Sequence, residues 1–368
     1  MTLSHPGARI PVGLLGATGM VGQNFAVLLH DHPWFRLAWV GASERSAGRS
    51  YADAVRWVHD RPMPTGVADL VVESAEPGAA TPELVFSAID GGVAGAIERS
   101  FAHAGHIVLS NARSHRLADD VPLLIPEVNT GHLALIERQR RERDWSGAIV
   151  TNPNCATVTL ALALAPIRHR GIRRVVVTTM QAVSGAGHPG VSAIDALANV
   201  VPHIAGEEEK IPVELRKLFG SLDPDLATVV PAPVLVSAHC NRVATLDGHL
   251  LCVSVELEAR AEPADVLREM ASFAASEGVA GLPSAPRRPI VVASDADRPQ
   301  PRRDAMASGG MTVTVGRIRP CPVLGISLVA LGHNTIRGAA GASILNAELM
   351  LREGLIGSDP VLPRMAAR

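Results

Sequence analysis

Gly13-Leu14-Leu15-Gly16-Ala17-Thr18-Gly19-Met20-Val21-Gly22 is the stretch whose reading decides the fold. The apolar run Ile10 to Leu15 leads into it, and a helical pattern follows through His30. Strand, glycine turn and helix stand in the order a dinucleotide site requires. Glycines permit the tight turn and the close approach of a pyrophosphate, which then sits on the helix N-terminus. A glycine cluster alone says little; these flanks make it specific. The next strand, Leu37 to Val40, should end at the ribose. There the chain reads Gly41-Ala42-Ser43-Glu44-Arg45-Ser46. Ser43, Arg45 and Ser46 suit a 2′-phosphate, with a guanidinium fork for its oxygens. The other reading gives the ribose to Glu44 and leaves Arg45 as a solvated loop charge. The balance favours NADP over NAD.

Outward from this stretch, strand-like runs recur at Leu70 to Val72, Leu84 to Ala88, Ile107 to Ser110 and Leu123 to Ile125. Helical runs such as Ala94 to Ala104 and His132 to Arg140 fall between them. The alternation predicts a mostly parallel sheet with helices on both faces. Ser87 ends a strand, where ligands lie in such sheets. The segment Ser110 to Arg116 also follows a strand and offers Arg113 and Arg116 to an anion, unless both are ordinary surface charges.

The 368 residues, 47% apolar and 19% charged, suffice for two domains. A net charge of −2 gives no reason to expect nucleic acid or an anionic membrane as partner. No signal peptide and no run of 18 apolar residues is seen. The four cysteines (Cys155, Cys240, Cys252, Cys321) lack C-x-x-C spacing. That argues against a zinc site and a disulfide framework, and points to a reducing, cytoplasmic setting.

The second decisive stretch is Thr151-Asn152-Pro153-Asn154-Cys155-Ala156-Thr157-Val158. A β-rich run, Gly147 to Thr151, enters it, and the apolar run Thr157 to Ile167 leaves it. Pro153 forces a turn, and Asn154 is a good N-cap, which places Cys155 in the first helical turn. The dipole and free N–H groups there favour a thiolate and would hold an oxyanion. Most lone cysteines are small buried hydrophobes, but the Pro-Asn-Cys turn mounts this one as a nucleophile. Beyond it, Arg173 to Met180 is a strand running into Gln181-Ala182-Val183-Ser184-Gly185, whose small residues permit close backbone approach to a ligand. Gln181 offers an amide to orient substrate or nucleophile. Glu207-Glu208-Glu209-Lys210 opens a helix after Gly206, where acidic residues are expected on stability grounds alone.

A histidine beside the turn before the strand Leu251 to Leu257 suits a general base. Metal ligation by His239, Cys240 and His249 lacks a recognised spacing. Residues Leu282 to Asp304 read as an irregular connection. Met311 to Ile318 and Val323 to Leu331 read as strands, and Ala339 to Leu351 as a helix able to return to the first domain.

These pieces resemble aspartate-β-semialdehyde dehydrogenases of the archaeal and fungal-type branch. The resemblance is carried by GATGMVGQ (Gly16 to Gln23), ASERSAGRSY (Ala42 to Tyr51), DVPLLIPEVN (Asp120 to Asn129), TNPNCAT (Thr151 to Thr157), QAVSGAG (Gln181 to Gly187) and GEEEK (Gly206 to Lys210). CNRV, DGH, LPSAP, DRPQPR and HNTIRGAAG complete it, in one order from about residue 10 to 350. It implies a Rossmann domain plus an α+β domain like that of glyceraldehyde-phosphate dehydrogenase. The division would fall at 1–154, completed by a C-terminal helix at 338–368, and 155–337. Dimers or tetramers are implied.

It also implies roles. Cys155 is the nucleophile, His249 its acid/base partner and Gln181 the orienting amide. Arg242 binds the substrate carboxylate, Glu207 its amino group, and Arg116 and Lys210 phosphate. NADP is bound by Gly16, Thr18, Gly19, Met20, Val21, Ser43, Arg45, Ser46, Ser87, Ser184, Gly185 and Asn334. No metal is required. The implied reaction is NADPH-dependent reductive dephosphorylation of 4-phospho-L-aspartate to L-aspartate 4-semialdehyde through a cysteine thioester, on the route to Lys, Thr, Met and Ile. Ser114, His115, His188 and His203 depart from the branch, which bears on substrate preference. Two alternatives stay open: reduction of an acyl thioester, as in malonyl-CoA reductases, and a non-catalytic NADP-binding regulator.

Overall fold

The computed structural model describes residues 8–225 and 228–357. Six strands form the first sheet: β1 (Ile10–Leu15), β2 (Phe35–Ala42), β3 (Val72–Ser74), β4 (Leu84–Ser87), β5 (Ile107–Ser110) and β6 (Ala148–Thr151). All are parallel, in the order β3-β2-β1-β4-β5-β6. The order reverses between β1 and β4, and a ligand crevice opens beyond the carboxyl ends of such a pair. β4, β5 and β6 are buried at every position. That is why they read as short continuous apolar runs without alternation.

The remaining strands are β7 (Ile172–Gln181), β8 (Val200–Val201), β9 (Ser221–Leu222), β10 (Val229–Val230), β11 (Leu235–Val243), β12 (His249–Leu257), β13 (Ile290–Val292), β14 (Val313–Cys321) and β15 (Gly325–Gly332). Seven of them form a mixed sheet, ordered β13-β14-β15-β12-β7-β11-β8. One face is covered. Leu251, Val253 and Val255 of β12 point into a core with Val175, Val177, Leu328 and Ala330. Cys252 on the opposite face is exposed, as are Val176 and Leu235.

The helix Cys155–Leu164 joins the two halves. Every residue from Ala156 to Leu164 is buried, since it packs against β12, β14 and β15, the helix Glu207–Leu218 and the turn Ile336–Ala340. A helix covered all round carries no polar face. The last helix, Gly341–Arg352, returns to the first half, where Ile344, Leu345, Leu349 and Met350 share a core with Val12, Phe25 and Phe86.

Several expectations need correction. Leu123 to Ile125 forms no strand. Leu123 makes one bridge to Thr151, and Pro126, which has no N–H, starts the helical turn Pro126–Asn129. The helix expected from His132 begins at Leu135, after the 3₁₀ turn Thr130–Ala134. The connection at 282–304 contains β13, which adds in parallel to β14. The run at 70–72 becomes a strand only at Val72. The final helix starts at Gly341, after a π-helical turn, Ile336–Ala340. Positions 358–368 of the expected C-terminal segment lie outside the described residues.

Candidate active site

The site lies where β6 hands over to the helix Cys155–Leu164, beside strand ends in the interior of the second sheet. Asn154 is the N-cap; its Oδ1 accepts the N–H groups of Ala156 (2.9 Å) and Thr157 (3.3 Å). Asn152 is buried in an amide network. Its Nδ2 lies 2.9 Å from Asn111 Oδ1, 2.9 Å from the Ala339 carbonyl and 2.7 Å from Ser343 Oγ, and its Oδ1 accepts from Asn346 Nδ2 at 2.6 Å. The nucleophile turn is thereby bolted to the last helix. Gly338 belongs to the same clamp, since a Cβ there would fall 2.6 Å from Cys155 Cβ.

Neighbouring strand ends bring the other groups. Gln181 closes β7 and pairs in register with Arg242 of β11, while His249 opens β12 beside them. His249 is fully buried, with Nε2 3.2 Å from Cys155 Sγ. Its Nδ1 accepts the Ala182 N–H at 3.1 Å. A backbone amide can only donate, so the neutral ring carries its proton on Nε2, toward the sulfur. Burial first, then Arg242 and His333, push the His249 pKa down to about 3. The Cys155 thiol is pushed up to about 12, by burial first and the Glu207 charge second, against Arg116, Arg242 and the Ala156 N–H. This corrects the expectation of a resting thiolate. The helix terminus does favour the anion, but desolvation and a neighbouring carboxylate outweigh it. Cys155 as a residue is partly exposed.

Glu207 is the hub of the polar wall. Its oxygens accept from Asn154 Nδ2 (2.9 and 2.8 Å), Lys210 Nζ (3.0 Å) and Gln181 Nε2 (3.3 Å). Arg242 is buried, donates to the Ala182 carbonyl at 2.7 Å and stands beside Gly185 and the His249 ring. Arg116 is buried too, its Nη1 2.9 Å from Glu214 Oε1 and its Nη2 2.8 Å from the Asn111 carbonyl. Cys155, His249, Gln181, Glu207, Lys210 and Arg242 thus form one connected group, which Arg116 joins through Glu214 and Asn154.

The crevice of the first sheet lies beyond the carboxyl ends of β1 and β4. Gly16 takes φ +73°, and a Cβ there would strike the Ala88 carbonyl at 2.6 Å. The Gly16 N–H bonds Gly41 O, bringing the glycine turn beside the end of β2. The helix Met20–His30 begins with no side-chain cap and no acidic residue in its first turn, so its N–H groups are free for an anion. Thr18, Met20 and Val21 are partly exposed there and Gly19 is exposed; Ser43 and Arg45 are exposed and Ser46 partly so at the end of β2. These residues fit a dinucleotide phosphate. Asn334 donates to Ser184 Oγ at 2.8 Å and accepts the Gly248 N–H at 2.9 Å, fixing the Ser184–Gly185 wall to the His249 turn. Ser87 differs from expectation. Its hydroxyl turns inward to Glu98 Oε1 at 2.6 Å, where Ser110 Oγ also donates, so its side chain is committed to the protein.

His239 and Cys240 alternate across β11, one exposed and one fully buried. Among the described residues no group of three His, Cys, Asp or Glu could hold a metal ion. Of the departures, His115 is buried, at 3.2 Å from the Gly95 carbonyl, and His188 and His203 are exposed. Glu214, Glu98 and Gly338 were not legible as parts of this neighbourhood. Their signals, a glutamate two turns after Glu207 and a glycine in HNTIRGAAG, acquire meaning only from what they touch.

Known proteins are similar to this chain over most of its length. Residues 11–136 match the family "Semialdehyde dehydrogenase, NAD binding domain", and residues 164–337 match "Semialdehyde dehydrogenase, dimerisation domain". An aspartate-semialdehyde dehydrogenase of Archaeoglobus fulgidus is 47% identical over 348 residues, 95% of this chain and 100% of the relative. The crystal structure of aspartate semialdehyde dehydrogenase with NADP from Candida albicans superposes with a TM-score of 0.88 at 39% identity, covering 94% of this chain and 100% of that one. That of aspartate semialdehyde dehydrogenase II complexed with ASA from Vibrio cholerae gives 0.73 at 28%, covering 94% and 99%. With likeness running the length of both halves and a cysteine–histidine pair where they meet, the chain belongs to the aspartate-semialdehyde dehydrogenase family.

Proposed function

We propose that this chain catalyses the reversible, NADPH-dependent conversion of 4-phospho-L-aspartate to L-aspartate 4-semialdehyde and phosphate. The observation that carries the reading is the 3.2 Å approach of His249 Nε2 to Cys155 Sγ at a helix N-terminus walled by Glu207 and Arg242. Arg242 holds the substrate carboxylate, Glu207 its ammonium group, and Arg116 with Lys210 the phosphate. Neutralising Glu207 with that ammonium removes the second cause of the high thiol pKa, so substrate arrival helps ionise the sulfur. Sγ then bonds to the acyl carbon, the carbon–oxygen bond to phosphate breaks, and phosphate departs with the thiol proton. When bound, the dinucleotide supplies the hydride that reduces the thioester. His249 Nε2–H stabilises the tetrahedral oxygen, and the C–S bond breaks to release the aldehyde. Covalent capture replaces one difficult step with two easier ones. Gln181, tied to Glu207, orients the bound group.

The dinucleotide reading draws on the Gly16 turn, the uncapped helix and the hydroxyls and guanidinium of Ser43, Ser46 and Arg45, which suit a 2′-phosphate. We assign residues 1–154 with the returning C-terminal helix to that half and 155–337 to the catalytic half. Two main cores support the division, with Val279, Leu282 and Met311 crossing into the core of the first half and Leu123 and Ile125 into that of the second. Assembly as a dimer or tetramer is supported by the dimerisation-domain match and by exposed Val176 and Leu235 on the open sheet face.

The test is NADPH formation from aspartate semialdehyde with and without phosphate, in the wild type and Cys155→Ala. Phosphate-dependent turnover by the wild type, abolished in the variant, is expected. Turnover retained without Cys155 removes the nucleophile. Reduction of malonyl-CoA in place of semialdehyde chemistry selects the thioester-reductase alternative, and no turnover with either substrate selects the regulator.

A further inference from the structure

Glu214 lies two turns beyond Glu207 on the helix Glu207–Leu218, and is 2% exposed. Its Oε1 accepts from Arg116 Nη1 at 2.9 Å, and its Oε2 accepts the Asn154 backbone N–H at 2.6 Å. Arg116 comes from the segment after β5, in the first half, whereas Asn154 caps the nucleophile helix. One rigid carboxylate therefore spans both. The guanidinium is also held at Nη2 by the Asn111 carbonyl, while its buried Nε has no protein partner. A buried, unpaired N–H on a fixed cation is an unmet demand that an incoming anion satisfies. One turn on, Lys217 Nζ donates to the carbonyls of Arg116 (2.8 Å), Ala118 (2.7 Å) and Val121 (2.8 Å), so the segment carrying Arg116 is fastened to the same helix.

We propose that Glu214 is a positioning residue that sets the separation between the phosphate held by Arg116 and the sulfur of Cys155. The inference rests on Arg116 being a phosphate contact, as read above. Phosphate must meet the acyl carbon while that carbon is bonded to Sγ, so guanidinium and nucleophile turn need a common reference. Two charge-assisted bonds to opposite oxygens of one carboxylate provide it, and a displacement near 1 Å at such a site costs up to about a hundredfold in rate. A plain interdomain ion pair would need only the charge, not the span.

The experiment varies inorganic phosphate in the oxidation of aspartate semialdehyde, comparing the wild type, Glu214→Gln, Glu214→Asp and Arg116→Gln, with Tm recorded for each. Glutamine leaves one acceptor oxygen for two donors, so KM for phosphate should rise about ten- to a hundredfold, with KM for NADP at the wild-type value. Aspartate keeps the charge but is one methylene short of both donors, and should behave like glutamine. Wild-type phosphate kinetics in Glu214→Asp, or a lowered Tm with unmoved phosphate KM in Glu214→Gln, overturn the proposal in favour of a clamp. Should the Gln variant fail to fold, the Asp variant decides. A raised phosphate KM in Arg116→Gln alone leaves the phosphate contact standing and removes Glu214. No change in Arg116→Gln removes the phosphate contact itself.

Discussion

Nε2 of His249 stands 3.2 Å from Sγ of Cys155, while the Nδ1 lone pair of the same ring is taken by the Ala182 N–H. The ring therefore faces the sulfur as a hydrogen-bond donor. An imidazolium would place a second N–H against that of Ala182, in keeping with a His249 pKa pushed down to about 3. The arrangement resembles a neutral imidazole used as an electrophile more than a thiolate–imidazolium pair.

Replacing His249 with Asn should lower kcat by about 10²–10⁴-fold, the usual worth of a positioned proton donor. A ring titrating near 3 stays neutral at higher pH, so kcat should show no histidine limb between about pH 5 and 8. A wild-type acid limb in that window that vanished in His249→Asn would contradict this tautomer.

Glu207→Gln should speed alkylation of Cys155 by iodoacetamide in the absence of substrate. The Glu207 charge is the second cause, after burial, of a thiol pushed up to about 12. Removing it lowers that pKa and raises the thiolate fraction at any pH below it, up to about tenfold per unit. Inactivation rates followed against pH provide the check; a slower or unchanged rate would show that Glu207 does not govern the sulfur.

Glu98→Gln should stabilise the fold increasingly as pH rises. Glu98 is fully buried, and burial raises its pKa against hydrogen bonds from Ser110 and Ser87 and the charge of Arg116. A carboxyl raised on folding contributes its stability below its unfolded pKa and loses it as pH climbs through the folded value. An amide keeps an acceptor for the two hydroxyls without titrating. The Tm difference between variant and wild type should therefore widen above the ordinary carboxyl range, by about 1–2 °C for each kcal/mol of burial cost removed. A pH-independent difference would mean that Glu98 ionises as freely folded as unfolded.

What the amino-acid order determined by itself is local. Gly16 to Gly22 between an apolar run and a helical pattern is enough for a dinucleotide fold, because the turn, the phosphate approach and the helix start all fall within ten residues. Asn154 as N-cap and Cys155 as first helical residue follow from Pro153 and the residue types beside it. Resemblance, not spacing, singled out His249 and Arg242. Tertiary structure alone decided the rest. Cys155 is 94 positions from His249, and Asn154 is 60 from Glu214. Whether the sulfur rests as thiol or thiolate, and which ring nitrogen carries the proton, depends on water excluded and donors aimed by such distant segments. Desolvation and hydrogen-bond direction are properties of the packed chain, and no window of sequence contains them.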